Sequence, residues 1–323
     1  MQLVRLFSLT PVHERRWNDF IDEEISGTPY QTTYFHDWWR GVDPSLADMG
    51  YFIGYKRSEI CFVGYGFIRT RDGQLIGEFP HGPAARTIDD MIGGLRALKE
   101  SIGTNATFQV GPYFKADERT LAVTSQMGFS ATSRRWHDAT VVIDLTEAND
   151  ALLASFHPMA RRAIRKAASL GYTVTIEQDD KAIENFVAIQ HALATSRNFG
   201  AIPRRYLENV VNDRRHSKRA AMFFLRDGAG EILAVALVIR TKRLAWYQYG
   251  ASSKGRPVRA QFLHWKIMEW AREMGSEQYD LGGVNVHDPH CSVTRFKLTL
   301  AKDRCPVRLF PQLCYSPTSG CQE

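Results

Sequence analysis

The chain has 323 residues, 44% hydrophobic and 24% charged, and its 41 Lys and Arg against 35 Asp and Glu leave a formal net charge of +6. That balance is ordinary for a soluble globular protein with a real core, and the length suits two average domains or one large one. No apolar run approaches the roughly 20 residues that span a bilayer, and the opening MQLVRLFSLTPVHERRW lacks the features of a signal peptide, so a cytoplasmic location is expected. Five cysteines (Cys61, Cys291, Cys305, Cys314 and Cys321), an odd count without a CxxC pair, fit a reducing compartment better than a disulfide scaffold.

From the N-terminus, HERRWNDFIDEEI is helical sequence, followed by the aromatic segment PYQTTYFHDWW. YFIGYKRSEICFVGYGFIRTRDGQLIGEFPHGP then alternates strands with polar turns. The helix DDMIGGLRALKESIG stops at a glycine and yields to the short strand TFQVG. In ATVVIDLTEAND (139–150) a strand ends and a helix begins, which sets the expected boundary between a first domain, residues 1–141, and a second, residues 142–305. Residues 306–323 are assigned as a segment able to pack on the first domain, and the tail SPTSGCQE looks frayed.

HPMARRAIRKAASLG (157–171) reads as a helix, with Pro158 near its start and Gly171 just past its end. At about 100° per residue, Arg161, Arg162, Arg165 and Lys166 fall within an arc of roughly 140°. Ala160, Ala163, Ile164, Ala167 and Leu170 occupy the opposite, buried side. A second basic stretch, 197–220, sets seven cations against two acids. Either cluster alone is equally well a solvated face. Two in neighbouring segments favour an anionic ligand.

The strands that follow repeat the first half. FFLRDGAGEILAVALVIRTKRLAWYQYGAS again reads strand, turn, strand ending in Ile-Arg-Thr, turn, strand, glycine, and the helix RAQFLHWKIMEWAREMG leads to the strand QYDLGG. Ile68 to Ile239 and Gly111 to Gly282 are both offset by 171, and Gly103 to Gly275 by 172. The shared register identifies a duplicated α/β unit. Helices, an antiparallel meander, a helix and another strand make a mixed sheet flanked by helices, an α/β (α+β) order that resembles the GNAT acyltransferase fold, here twice in tandem.

Other chemistries fit poorly. His287, His290 and Cys291 have ligand-like side chains but not the paired spacing of a structural zinc site, so no metal is expected. No GxSxG elbow, GxxxxGK[ST] loop or strand-following GxGxxG occurs. The turn that would cradle a coenzyme A pyrophosphate, GASSKGRPVRAQ (250–261), has Gly255 followed by Arg256 and Pro257 instead of closely spaced glycines. In the first copy, PHGPAARTIDD, Pro83 removes a donor.

IRKAASLGYTVTI (164–176), WYQYGAS (246–252), the helix ending WAREMG, YDLGG and RFK together resemble the FemABX family, and PYQTTYFHDWW and PHGP match its early segment loosely. The resemblance covers nearly the whole chain, most firmly from about residue 140 to 298. It implies two GNAT-like units and transfer of an amino acid from aminoacyl-tRNA, as co-substrate and without another cofactor, onto an amine. The acceptor would be a peptidoglycan-precursor-like or natural-product-like compound. The family's Phe-Lys pair falls on Phe296 and Lys297, where the lysine supports the transition state. Its strand tyrosine falls on Tyr249, associated with the acceptor. Its arginine and tyrosine for acceptor phosphates fall on Arg204 and Tyr206, and an early aromatic on Trp38. Ser292-Val293-Thr294 replaces the glycine usual before the Phe-Lys pair, LTLAKD follows it, and the helical-hairpin arm of some members is absent.

Aminoacyl-tRNA is an activated ester, so its attack by an amine needs alignment and an oxyanion donor but no covalent enzyme intermediate. Lys297, beside Phe296 on a strand-like segment, is the expected donor, while no histidine or carboxylate stands out as proton acceptor. Arg161, Arg162, Arg165 and Lys166 would then meet phosphates, either of tRNA or of a phosphorylated acceptor. An acyl-CoA-dependent N-acyltransferase and a non-catalytic RNA-binding protein of the same fold are the alternatives.

Overall fold

The computed structural model describes residues 1–71, 73–103, 105–115, 117–132, 139–253, 258–288, 290–302, 306–309 and 311–317. The chain divides into two compact units, one of Met1–His36, Asp43–Ala139 and Val307–Glu323, the other of Asp37–Val42 and Thr140–Pro306. In chain order the first half runs β1 (Gln2–Leu6), α1 (Pro11–Glu23), α2 (Thr33–Trp39), β2 (Ala47–Lys56), β3 (Glu59–Arg71), β4 (Gln74–Phe79), β5 (Ala84–Ala85), α3 (Ile88–Ile102), β6 (Thr107–Val110), α4 (Glu118–Gln126) and β7 (Phe129–Ala131). The second half adds β8 (Ala139–Asp144), α5 (Asn149–Ser155), α6 (Pro158–Ser169), β9 (Thr173–Ile176), α7 (Asp180–Arg197), α8 (Arg204–Asn212), β10 (Ala220–Arg226), β11 (Ile232–Arg240), β12 (Leu244–Ser252), α9 (Ala260–Glu273), β13 (Gln278–Gly283) and α10 (Ser292–Leu298). The short strands β14 (Val307–Arg308) and β15 (Leu313–Tyr315) follow.

The repeat read from residue spacing is a repeat of topology. In the first unit the strands order as β1-β2-β3-β4-β6-β15-β7, and in the second as β9-β10-β11-β12-β13-β8. Each has an antiparallel meander, then a crossover helix, then a parallel neighbour. Ile76–Phe79 of β4 pair with Thr107–Val110 of β6, and Leu244–Trp246 of β12 with Gln278–Asp280 of β13. The crossover helices α3 and α9 both give way to a glycine with positive φ, Gly103 at 100° and Gly275 at 83°, where a side chain would be strained.

The strand beyond each parallel pair comes from elsewhere in the chain. β15, near the C-terminus, lies antiparallel to β6, with Leu313 opposite Val110, while β8 lies antiparallel to β13, with Gln278 opposite Asp144. β11 is almost continuously apolar, ILAVALVIR, because it is central and buried through nearly its whole length. α7 and α9 both pack on this sheet, with Phe186 of α7 edge-on to Phe224 and Trp270 of α9 edge-on to Phe223.

Three expectations need correction. Phe296 and Lys297 sit on the short helix α10, not on a strand. Leu170 is exposed, because α6 ends at Ser169 and the chain turns at Gly171 (φ 71°) before Leu170 can reach the buried side. Cys314 is disulfide-bonded, whereas Cys61 and Cys291 are free thiols. Cys305, Cys321 and the frayed tail from Thr318 onward lie outside the described residues.

The Ile-Arg-Thr repeat has a structural use in the second unit. Arg240 is buried and donates to Ser276 Oγ (3.1 Å) and to the carbonyls of Lys218 (3.3 Å), Lys242 (3.2 Å) and Met274 (2.6 Å). These bonds tie the ends of β11 and α9. Arg240→Met strands three carbonyls at about 1 kcal/mol each. The expected loss of about 3 kcal/mol is read as roughly hundredfold faster hydrogen exchange of the β11 amides; unchanged exchange would show that the guanidinium is dispensable.

Candidate active site

The site grows from the place where β12 and β13 part. Their parallel pairing stops at Trp246 and Asp280, although β12 runs on to Ser252. A bulge opposite Leu237 and Val238 admits an extra residue, Gln248, between Tyr247 and Tyr249. On the other strand, Asp280 is fully buried and its Oδ1 accepts from Gly282 N (2.6 Å) and from Thr140 Oγ1 of β8. Gly282 has φ 75°, and a Cβ there would stand 3.2 Å from Tyr247 O and 3.6 Å from Lys297 Nζ. Only glycine makes this turn without strain. The turn aims Gly283 O at the ammonium of Lys297, at 2.8 Å.

Lys297 is 8% exposed. Burial pushes its pKa down from 10.5 to about 8, while Asp280 and Cys291 pull it back up. At neutral pH it is mainly charged. Gly283 O takes one of its three N–H donors, and no other hydrogen bond engages it among the described residues.

Around it stand groups held neutral. His264 of α9, buried, exchanges a hydrogen bond with Tyr279 OH through Nδ1 (2.9 Å), and its ring lies 5.5 Å from Phe296 and 4.8 Å from Tyr247. Burial, reinforced by Lys297, pushes its pKa down to about 3. Burial raises Tyr247 to about 12 and lifts Tyr279 well above its ordinary value. An imidazole so hard to protonate is a hydrogen-bonding brace, not a base for neutral pH.

A second constellation starts from Tyr249, likewise raised to about 12 by burial. Its ring meets Tyr206 of α8 edge-on at 6.3 Å, and Tyr206 stacks on Trp39 at 4.7 Å. Tyr206 OH donates to Gln248 Oε1 (2.8 Å). Trp38 is buried one residue earlier, its Nε1 donating to Asp213 (2.9 Å) and its carbonyl accepting from Asn209 (2.7 Å). Trp38 therefore fastens the segment Asp37–Val42 to α8, while Trp39 offers the ring.

The residues expected from sequence thus separate. Lys297 and Phe296 come together with His264, and Tyr249 with Tyr206. Arg204 does not join Tyr206. Two positions apart on a helix they point to different sides, and Arg204 is exposed in an ion pair with Glu208 at 2.7 Å. Arg162, Arg165 and Lys166 are exposed on α6 and Arg161 is half-buried. His287 and His290 are exposed, and no cluster of three or more metal-ligating side chains forms among the described residues. Lys254, Gly255, Arg256 and Pro257, the turn weighed for coenzyme A, lie outside the described residues. Sequence reasoning missed Asp280, His264, Tyr247 and Trp39. Their only signal was membership of the motifs YDLGG, WYQYGAS and HDWW and of the helix RAQFLHWKIMEWAREMG.

Comparison with known proteins agrees with this architecture. Residues 154–297 match a family model described as an acetyltransferase (GNAT) domain. A UDP-N-acetylmuramoylpentapeptide-lysine N(6)-alanyltransferase of Weissella viridescens is 22% identical over 166 residues, 50% of this chain and 49% of that protein. The match thus spans about half the length of that relative. The crystal structure of FemX superposes with a TM-score of 0.79 at 15% identity, covering 98% of this chain and 97% of that one. A tandem GNAT protein from the clavulanic acid biosynthesis pathway gives 0.55 at 12% identity, over 100% and 99% of the two chains. The fold is two GNAT-like units in tandem.

The depressed Lys297 pKa has a thermodynamic signature. Between about pH 8 and 10.5 the unfolded chain binds a proton at this lysine that the folded one does not. Stability from this group therefore rises with pH across that window and is lowest below it. The stability of the wild type relative to Lys297→Met is expected to improve by about 3 kcal/mol from pH 7.5 to 10.5 in urea denaturation. A difference that stays flat would mean an ordinary, solvated lysine.

Proposed function

We propose that this chain, a FemABX-family protein of two GNAT-like units, transfers an aminoacyl group from aminoacyl-tRNA to an amine and forms an amide. The observation that carries the reading is the buried ammonium of Lys297, with N–H donors to spare beside Phe296 where β12 and β13 diverge. A desolvated, fixed cation is suited to a developing oxyanion, and a preorganised donor of this kind is worth roughly 10²- to 10³-fold in rate.

The reaction needs little else. The amine nitrogen attacks the ester carbonyl, the C–N bond forms, and the carbonyl oxygen takes up negative charge that an N–H of Lys297 meets. Collapse breaks the ester C–O bond and releases the 3′-terminal hydroxyl of the tRNA. The proton lost by the amine ends on that departing oxygen. His264 and Tyr279 keep Phe296 and Lys297 in place, and neither has a proton affinity suited to relaying that proton at neutral pH.

Tyr249, Tyr206 and Trp39 form the wall against which the acceptor lies. Trp38 holds that wall, and Arg204 is available at its outer side once Glu208 yields to an anionic substituent. The Weissella viridescens relative, by its name, alanylates the lysine of a UDP-N-acetylmuramoyl pentapeptide, so a peptidoglycan-precursor-like amine is the first acceptor to try, and a natural-product-like amine the second. The reaction calls on no metal or further cofactor. The GNAT family model favours a second reading, transfer from acyl-CoA, which the same assay separates.

The assay follows label from a pool of labelled aminoacyl-tRNAs into small amine acceptors. RNase treatment of the donor is expected to abolish transfer, and Lys297→Met to lower kcat by 10²- to 10³-fold with little change in KM. The wild-type rate should fall as pH rises through about 8, where the ammonium is lost. Transfer that survives RNase, or that acyl-CoA supports better, would replace this reading with the second.

A further inference from the structure

We infer that the outer face of α6 binds the sugar-phosphate backbone of the donor RNA and leads its acceptor end to Lys297; this rests on the donor being aminoacyl-tRNA. α6 carries Arg161, Arg162, Arg165 and Lys166 within one arc. Arg161 with Arg165 and Arg162 with Lys166 are four residues apart, and Arg162 with Arg165 three, so like charges neighbour one another along the helix. Such pairs work against an isolated helix. The first turn has no acid, so Arg161 and Arg162 also lie near the positive end of the helix dipole uncompensated.

Elsewhere in the second unit some helical cations are neutralised within one helical turn, whereas Arg197, Arg205 and Arg295 are exposed without an ion pair among the described residues. Lys181 pairs with Glu184 on α7, Arg204 with Glu208 on α8, and Lys266 with Glu269 on α9. On α6 none of the four has an ion-pair partner among the described residues. The face therefore keeps its charge at the expense of its own helix, which suits a surface whose counter-charge arrives with a ligand.

The placement of α6 says which ligand. Its opposite face, Ala160, Ile164 and Ala167, is buried, and α6 packs on α9, the helix whose His264 touches Phe296. Phe156, just before α6, meets Trp265 of α9 edge-on at 5.9 Å. At its start, His157 N donates to Thr299 O (2.9 Å), two residues beyond Lys297. The basic face thus begins one turn from a backbone bond to the end of α10 and runs away from it.

A small phosphorylated molecule would be held by enclosed donors. Here three of the four cations are exposed, Arg161 is half-buried, and all are spaced along about 8 Å of helix, at about 1.5 Å per residue. That geometry suits successive phosphates of a strand whose terminus reaches α10.

The test compares full-length aminoacyl-tRNA with a short aminoacylated oligonucleotide of its 3′ end, too short to reach α6. Proteins are the wild type, a variant with Arg161→Ala, Arg162→Ala, Arg165→Ala and Lys166→Ala, and one with the three arginines changed to lysine. In the wild type, kcat/KM for the full-length donor should exceed that for the short one. In the alanine variant that ratio should fall at least tenfold, while the lysine variant keeps most of it. The dependence of log KM on log salt for full-length donor should flatten by about three in the alanine variant, as four phosphate contacts require.

An unchanged ratio and salt slope would overturn the inference and leave α6 a solvated face. Equal losses with both donors would overturn it too, since the face would then serve the acceptor or the fold. Wild-type protein that uses neither donor would sink the aminoacyl-tRNA reading itself, and this inference with it.

Discussion

An ammonium group taken out of water must find acceptors, and the end of β13 is shaped around that requirement. Gly283 supplies the carbonyl that receives Lys297, Gly282 supplies the left-handed turn that aims it, and Asp280 pins the turn from below through the Gly282 amide. Thr140, brought in on β8, fixes the carboxylate in turn. A buried charge without such a set would shed its proton or unravel its surroundings. Here the surrounding imidazole and phenols stay neutral, so the lysine is the ionised donor where β12 and β13 part.

The duplication throws this into relief, because the first unit repeats the backbone without a counterpart of the Asp280 and Lys297 pair. At the same offset of 171, Asp280 corresponds to Gln109 and Lys297 to Gln126, while the parallel register, Trp246 with Asp280 and Glu78 with Gln109, sets Tyr247 against Phe79. Gln109 accepts from Gln312 Nε2 of the strand-bearing tail at 2.8 Å, an uncharged bond in the place where the second unit has Thr140 and Asp280. Gln126 is exposed at the end of α4. One copy thus carries the Asp280 and Lys297 arrangement and the other has an amide pair where Asp280 and Thr140 meet, a difference that a fold repeated twice permits.

Much of the fold was legible because it rests on long periodic segments. Strands of alternating or continuous apolar character, helices ended by glycine and a constant register survive as patterns in one dimension. The site was legible only in part. Lys297, Phe296, Tyr249 and Tyr206 were found through motifs, but α10 is a helix of seven residues, too short for its period to distinguish RFKL from a strand. Asp280 reads as an ordinary strand residue until the chain folds it under Gly282. Arg204 and Tyr206 look like a pair in sequence, yet helical geometry sends them to different sides. Trp38 and Trp39 are adjacent and alike, and only burial tells the fastening ring from the available one.

The borrowed strands carry a consequence for how the molecule is made. β6 finds its antiparallel neighbour in β15, some two hundred residues further along the chain, so the N-terminal sheet stays incomplete while the whole second unit is being synthesised. During that interval the open side of β6 presents unpaired backbone beside a core containing Phe79 and Phe108, the kind of edge that invites pairing with a stranger. The second sheet has no such wait, because β8 leaves the ribosome before the strands it will join. The order of emergence therefore makes the first unit, not the one that carries Lys297, the last to close and the more dependent on protection while nascent.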